Sequence, residues 1–188
     1  MSPPPSAPDR EQVFRSLYGA LYPDLLRFAQ RRVDADQAED VVAEAFLVLW
    51  RRLADLPRRE EDVRAWAFGI TRNVLLNSRR SELRRHALGV RLAEPTAVHD
   101  GDADADGVVS AVDLAVAWRR LSETHQEAIA LTAFEELSAP HAAAVLGISP
   151  VAFRLRLSRA RRALRLHLDH RPSGPRAAAP VPERTATR

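Results

Sequence analysis

The sequence predicts an all-α chain: two small helical domains joined by a flexible acidic linker. Three observations predict it. Apolar residues recur at helical spacing over two long stretches, no segment shows the two-residue alternation of a strand, and a stretch rich in Ala, Asp and Gly separates the two. The 188 residues suit one or two domains with modest cores.

Residues 1–9 are Pro-rich and predicted disordered. A helical domain is expected over residues 10–88. Its first helix, VFRSLYGALYPDLLRFAQRRV, brings Phe14, Leu17, Leu21, Leu25 and Phe28 close to one face; Pro23 is expected to kink or restart it. The next helix is expected to begin near Asp36 or Gln37, with Glu39 and Asp40 in its first turn, where the macrodipole favours acids. In AEDVVAEAFLVLWRRL, Val42, Ala45, Phe46, Leu49, Trp50 and Leu53 form an apolar stripe. Asp40, Glu44, Leu47 and Arg51 share another face, where a leucine sits beside two carboxylates. The polar ADLPRREED interrupts, and RAWAFGITRNVLLNSRRSELRR resumes as a helix, apolar first and basic later.

Residues 89–112 are expected to be the linker. From Glu94 to Trp118 there are six acidic residues and no Arg. Asp102, Asp104, Asp106, Gly107 and Val109 overlap a calcium-loop pattern. Asp113 stands where that pattern wants a bidentate Glu, so a solvated acidic linker is the better reading.

Residues 113–170 are helical again. Ser138 can cap a short helix whose apolar side is Ala142, Val145 and Leu146; Gly147 suits the left-handed residue that ends it. Ile148 fills the turn, and Ser149 followed by Pro150 starts the next helix. Two short helices joined by a tight Gly turn make a helix-turn-helix, whose second helix reads the major groove. At about 100° per residue, Phe153, Leu157, Ala160 and Leu164 fall in one narrow sector that must face the core. The opposite sector holds Val151, Leu155, Ser158, Arg159 and Arg162, flanked by Arg154, Arg161 and Ala152. From Pro150 through Arg171 there are seven Arg and one Asp. Such a face can neutralise phosphates and offer bidentate bonds to guanine, while Leu155 and Val151 suit thymine methyls. A merely solvated arginine face is the bland alternative; the capped turn in front of the helix favours DNA. Residues 171–188, Pro- and Ala-rich, are predicted disordered.

Composition excludes several functions. All 28 basic residues are Arg, yet the formal net charge is only +3, so distribution matters more than total. There is no Cys, hence no disulfide, thiolate nucleophile or Cys-based zinc site. The N-terminal MSPPPSAPDR lacks a signal-peptide core, and no run approaches the roughly 18 apolar residues of a membrane span. A soluble cytoplasmic protein is expected. The six His are scattered, with His125, His141, His167 and His170 expected on helix surfaces. No nucleophile turn or Gly-rich phosphate loop precedes a helix, so neither an enzyme nor a cofactor or metal is expected.

LSAPHAAAVLGISPVAFRLRLSRARRAL resembles the C-terminal promoter-binding region of sigma-70-type bacterial sigma factors of the extracytoplasmic-function group. Independently, AEDVVAEAFLVLWRRL followed by RAWAFGITRNVLLNSRR resembles that group's N-terminal core domain. The resemblance implies a sigma factor that binds RNA polymerase core and directs promoter-specific initiation, catalysing nothing. It implies that Ala38, Glu39, Asp40, Glu44, Leu47 and Arg51 dock on the clamp coiled coil of the polymerase β′ subunit, with a further contact to the β subunit. Trp66, Phe68, Arg72, Asn73 and Asn77 match or lie in the region that would handle the single-stranded −10 element, extended by Arg79, Arg80, Arg84 and Arg85; Trp66 and Phe68 suit the core equally well. The loop from Ala54 to Val63 would hold an unstacked base. Val151, Ala152, Arg154, Leu155, Ser158, Arg159 and Arg162 would read the −35 duplex. Promoter DNA and an anti-sigma protein are the other implied partners. The alternative is a helix-turn-helix regulator acting without polymerase.

Some residues depart from the family pattern. Ala43 stands where Gln is frequent, Ala67 where an aliphatic residue follows the tryptophan, and Gly69 where a basic or polar residue is usual. Val151, Ala152 and Phe153 replace a common Gly-Thr-Val, and Leu155 a common Ser. Pro140 and His141 occupy positions that are usually acidic, which weakens the expected capping box. Most of these changes fall where bases are read, so they bear on promoter sequence more than on fold.

Overall fold

The computed structural model describes residues 7–87 and 111–169, and among them every regular element is helical. The predicted disordered termini, most of the linker and all but the end of the calcium-loop pattern lie outside the described residues.

Three helices form the N-terminal half: α1 (Ala7–Gln30), α2 (Ala35–Arg51) and α3 (Glu60–Ala87), with a one-turn 3₁₀ helix at Leu53–Asp55. Pro23 sits inside α1 without ending it. Its missing N–H would have served Gly19, which is exposed, so the freed carbonyl is within reach of solvent. α2 starts slightly earlier than its acidic turn suggests, because Asp34 is the cap: its carboxylate accepts the Gln37 backbone N–H at 2.9 Å. The expected stripe packs inward, with Val42, Ala45 and Leu49 fully buried and Phe46 and Leu53 nearly so. Trp50 leaves the stripe at 38% exposure and meets the Phe14 ring edge-on at 5.1 Å. Phe28 of α1 and Phe68 of α3, both fully buried, join those two helices at a ring separation of 5.1 Å.

The C-terminal half contains α4 (Ala111–Arg119), α5 (Glu123–Ala133), α6 (Ala139–Leu146) and α7 (Pro150–Asp169). The α6–α7 turn forms as its residue types require. Ser138 caps α6, and Gly147 adopts φ 66°, open to glycine without a Cβ penalty. The Ile148 N–H donates to the Ala143 carbonyl at 3.0 Å and the Gly147 N–H to Ala144 at 3.2 Å, the paired closure of a Schellman ending. The Ser149 hydroxyl then accepts the Ala152 N–H at 3.2 Å and opens α7. Phe153, Leu157 and Ala160 are buried against α5 and α6, and Leu164 is half-buried beside them.

The two halves share one apolar cluster. α6 lies along α3, and the two come close at Gly69: a Cβ there would meet the Val145 Cα at 3.8 Å. Periodicity within a helix carries no trace of this docking, and none was anticipated from the sequence.

Candidate nucleic-acid interface

The reading face of α7 stands clear of the core. Val151 is 71% exposed and Leu155 51%, while Ala152, Arg154, Ser158, Arg159 and Arg162 are all exposed. No carboxylate pairs with Arg154, Arg159, Arg161 or Arg162 among the described residues. Four exposed guanidiniums, flanking two exposed aliphatic side chains, make a surface suited to a phosphate-walled groove with methyl groups in its floor. Phe153 cannot take part, because it is fully buried.

The outward face of α2 carries Glu39, Asp40, Glu44, Leu47 and Arg51, all exposed. Leu47 is 56% exposed, which a helix serving only the core would not require. Trp50 extends this apolar spot one turn on, a contribution hidden in the sequence because its spacing also fits the buried stripe. The Arg10 guanidinium lies 5.2 Å from the Trp50 ring centre.

On α3 the expected DNA residues divide. Asn73, Asn77, Arg79, Arg80 and Arg84 are exposed. Trp66 is half-buried, with the Arg52 guanidinium 5.9 Å from its ring centre. Phe68 is fully buried and belongs to the core, one of the two readings open for it in the sequence. The Arg85 side chain lies outside the described residues. Arg72 is engaged: its Nε donates to Glu127 Oε1 of α5 at 2.6 Å and its Nη2 to Oε2 at 3.1 Å. Arg79 stands 3.9 Å from Glu123, one turn earlier on α5.

The docked halves make two further polar contacts. Glu135, 2% exposed, accepts from Arg31 at 2.6 Å and lies 3.7 Å from Arg32, while Arg64 donates to its backbone carbonyl at 2.7 Å. Burial pushes the Arg32 guanidinium down to about 10 against the raising effect of Glu135 and Glu127. Arg32 also packs over the Phe28 ring at 3.6 Å. His141 bonds the Ser138 hydroxyl through Nδ1 at 2.9 Å and Asp62 of α3 through Nε2 at 3.1 Å. It is therefore a partly buried bridging residue, not the plain surface histidine expected. Glu127, Glu135 and His141 were missed as interaction residues. A pair of adjacent glutamates at a helix end carries no signal beyond solubility. Among the described residues no group of His, Asp and Glu is placed to hold a metal ion, and no helix is long and apolar enough to cross a membrane.

Residues 17–85 match the family Sigma-70 region 2, and residues 112–164 match Sigma-70, region 4. The chain is 32% identical over 158 residues to the ECF RNA polymerase sigma factor SigL of Mycobacterium tuberculosis, a match covering 84% of this chain and 89% of that protein. Among solved structures it is similar to the sigma factor RpoE, in complex with the anti-sigma factor NepR, from Bartonella quintana. That likeness has a TM-score of 0.65 and 28% identity over 85% of this chain and 98% of the other. CnrH in complex with the cytosolic domain of CnrY is similar at TM-score 0.56 and 27% identity, over 85% and 89% of the two chains.

Proposed function

The chain belongs to the extracytoplasmic-function group of sigma-70 factors, which direct RNA polymerase to promoters, and from that premise we propose which surface meets which partner. The family's members are initiation factors, not enzymes. α7 enters the major groove of the −35 element, with Val151, Ala152, Leu155 and Ser158 against base edges and Arg154, Arg159 and Arg162 on phosphates or guanine. α3 holds the non-template single strand of the −10 element through Trp66, Arg72, Asn73, Asn77, Arg79 and Arg80, which offer a stacking ring, amides and cations. The outward face of α2, with Glu39, Asp40, Glu44, Leu47 and Arg51, docks on the β′ clamp coiled coil, and the β subunit supplies a further contact. An anti-sigma protein is a further partner in this reading, supported by the similar sigma factor RpoE, whose structure is a complex with the anti-sigma factor NepR. The setting is the cytoplasm, where polymerase and promoter meet.

One observation carries the −35 assignment. The helix after the Gly147 turn exposes its arginines and two aliphatic residues on one side while burying Phe153, Leu157 and Ala160 on the other. In vitro transcription with purified core on a genomic library tests the whole reading, expecting discrete start sites that depend on this chain. Asp40→Ala should weaken co-elution with core while leaving duplex binding unchanged. Undiminished co-elution removes the clamp assignment. Operator binding that needs no core would favour an independent helix-turn-helix regulator.

A further inference from the structure

The side of α7 turned away from the core changes character along its length. At about 100° per residue, Val151, Ala152, Ser158, Arg159 and Arg162 fall within about 60° of the Leu155 direction. All six side chains are exposed. The first two turns place only Val151, Ala152 and Leu155 in this sector; its first polar side chain is Ser158, nearly a turn further on. Arg154 and Arg156, the charged residues of those two turns, lie about 100° to either side of Leu155. The Ser149 hydroxyl ahead of them serves the helix end, accepting the Ala152 N–H at 3.2 Å. α6, APHAAAVL, contains no Asp, Glu or Arg, and its His141 is turned to Ser138 and Asp62. In a recognition helix the N-terminal residues are the ones that meet base edges. Donors and acceptors in the groove floor are read by side chains that hydrogen-bond, and this end of the sector has none. What an aliphatic side chain can distinguish there is the C5-methyl group of thymine, a group that 5-methylcytosine carries at the same ring position. Val151 and Leu155 stand about 6 Å apart along the helix axis, close to two base steps of about 3.4 Å.

We infer that α7 selects its site by pyrimidine C5-methyl groups: Val151 and Leu155 each pack on one methyl, about two base pairs apart, while the arginines beside and beyond them hold the duplex in place. This rests on the reading of α7 as the −35 surface. Arg159 and Arg162 supply affinity and register; the two aliphatic side chains supply discrimination at the first turns. The methyl is the group recognised, whichever pyrimidine bears it.

The test uses holoenzyme assembled from the full chain and purified core, bound to a promoter duplex recovered from a genomic library by its start site. Each thymine of the −35 segment, on either strand, is replaced singly by deoxyuridine, which removes the methyl and leaves base pairing intact. One or two of these replacements should each weaken binding about fourfold, the worth of one buried methyl-sized group. Leu155→Ala should weaken binding to the thymine duplex and abolish the deoxyuridine penalty at one position, and Val151→Ala should do so at another. The salt slope should stay unchanged in both variants, since neither removes a charge. Both side chains are exposed, so the core beneath them is undisturbed. Where a sensitive T·A pair is changed to C·G, the duplex carrying 5-methylcytosine should bind more tightly than the one carrying cytosine. Equal binding of every deoxyuridine duplex and its thymine parent overturns the methyl reading. A penalty that survives both alanine variants, no gain from methylating the cytosine, or a −35 segment without thymine on either strand does so as well. Binding indifferent to every base change in that segment overturns instead the −35 placement of α7 on which the inference stands.

Discussion

α7 and α3 both carry arginines on one side, and the two surfaces are in opposite states. On α7 the guanidiniums of Arg154, Arg159 and Arg162 are exposed, with no carboxylate paired to them among the described residues. On α3 the most central one, Arg72, is gripped by Glu127, and Arg79 has Glu123 within 3.9 Å. The difference shows that a run of arginines fixes the chemistry a surface can perform but not whether it is free to perform it. Availability depends on what another element, distant in sequence, brings against it. For α3 that element is α5, whose acids share one side of a short helix; among the described residues α7 packs on α4, α5 and α6 with its apolar sector buried.

The largest effect that would break the contrast comes from the buried side of α7. Phe153→Ala opens a cavity in a fully buried site and should cost about 3–5 kcal/mol. Circular dichroism melts should show the loss, and −35 duplex binding should fall with the fold of α7 while the α3 arginines keep their affinity. Next is Glu135→Ala, which strips the buried partner from Arg31 and Arg32. The cost should be on the order of 2–3 kcal/mol, below that of a fully buried pair because Arg31 is 32% exposed. Urea denaturation followed by tryptophan fluorescence measures it. A sharper comparison uses salt. Arg159→Ala should reduce the salt slope of duplex binding by about 0.9. Arg72→Ala should leave the single-strand slope of the free chain nearly unchanged, yet lower it by about 0.7 in a Glu127→Gln background. If Arg72→Ala has the same effect in both backgrounds, Glu127 does not restrain it. The smallest effect is at Glu136, where Gly relieves the left-handed backbone. Stabilisation of about 0.5–1 kcal/mol is expected, visible as a rise of a few degrees in Tm.

The helix-turn-helix was legible because its signals are local. Ser138, Gly147, Ser149 and Pro150 each dictate the backbone within a turn of themselves, and the sector of Phe153, Leu157 and Ala160 follows from helical rotation alone. The exposure of Leu47 was legible for a similar reason, since its neighbours on that face are charged. Less legible were residues whose role depends on a second element. Trp50 and Phe68 have ambiguous spacing: the first proved part-exposed and the second wholly buried. His141 looked like a damaged capping box until Asp62, far back in the chain, supplied its other partner. The α3–α6 docking escaped entirely, since Gly69 reads in sequence only as an absent side chain and in three dimensions as room for a neighbouring backbone.

The uncovered face of α7 owes all its positive charge to guanidinium groups, and the same is true of the whole chain, which contains no lysine. Guanidinium keeps its proton far above neutral pH. The grip on duplex should therefore be indifferent to alkalinity across the range cells tolerate. It also presents no ε-amine for acetyl transfer, so this grip cannot be tuned by lysine acylation and must be adjusted by geometry or by another protein.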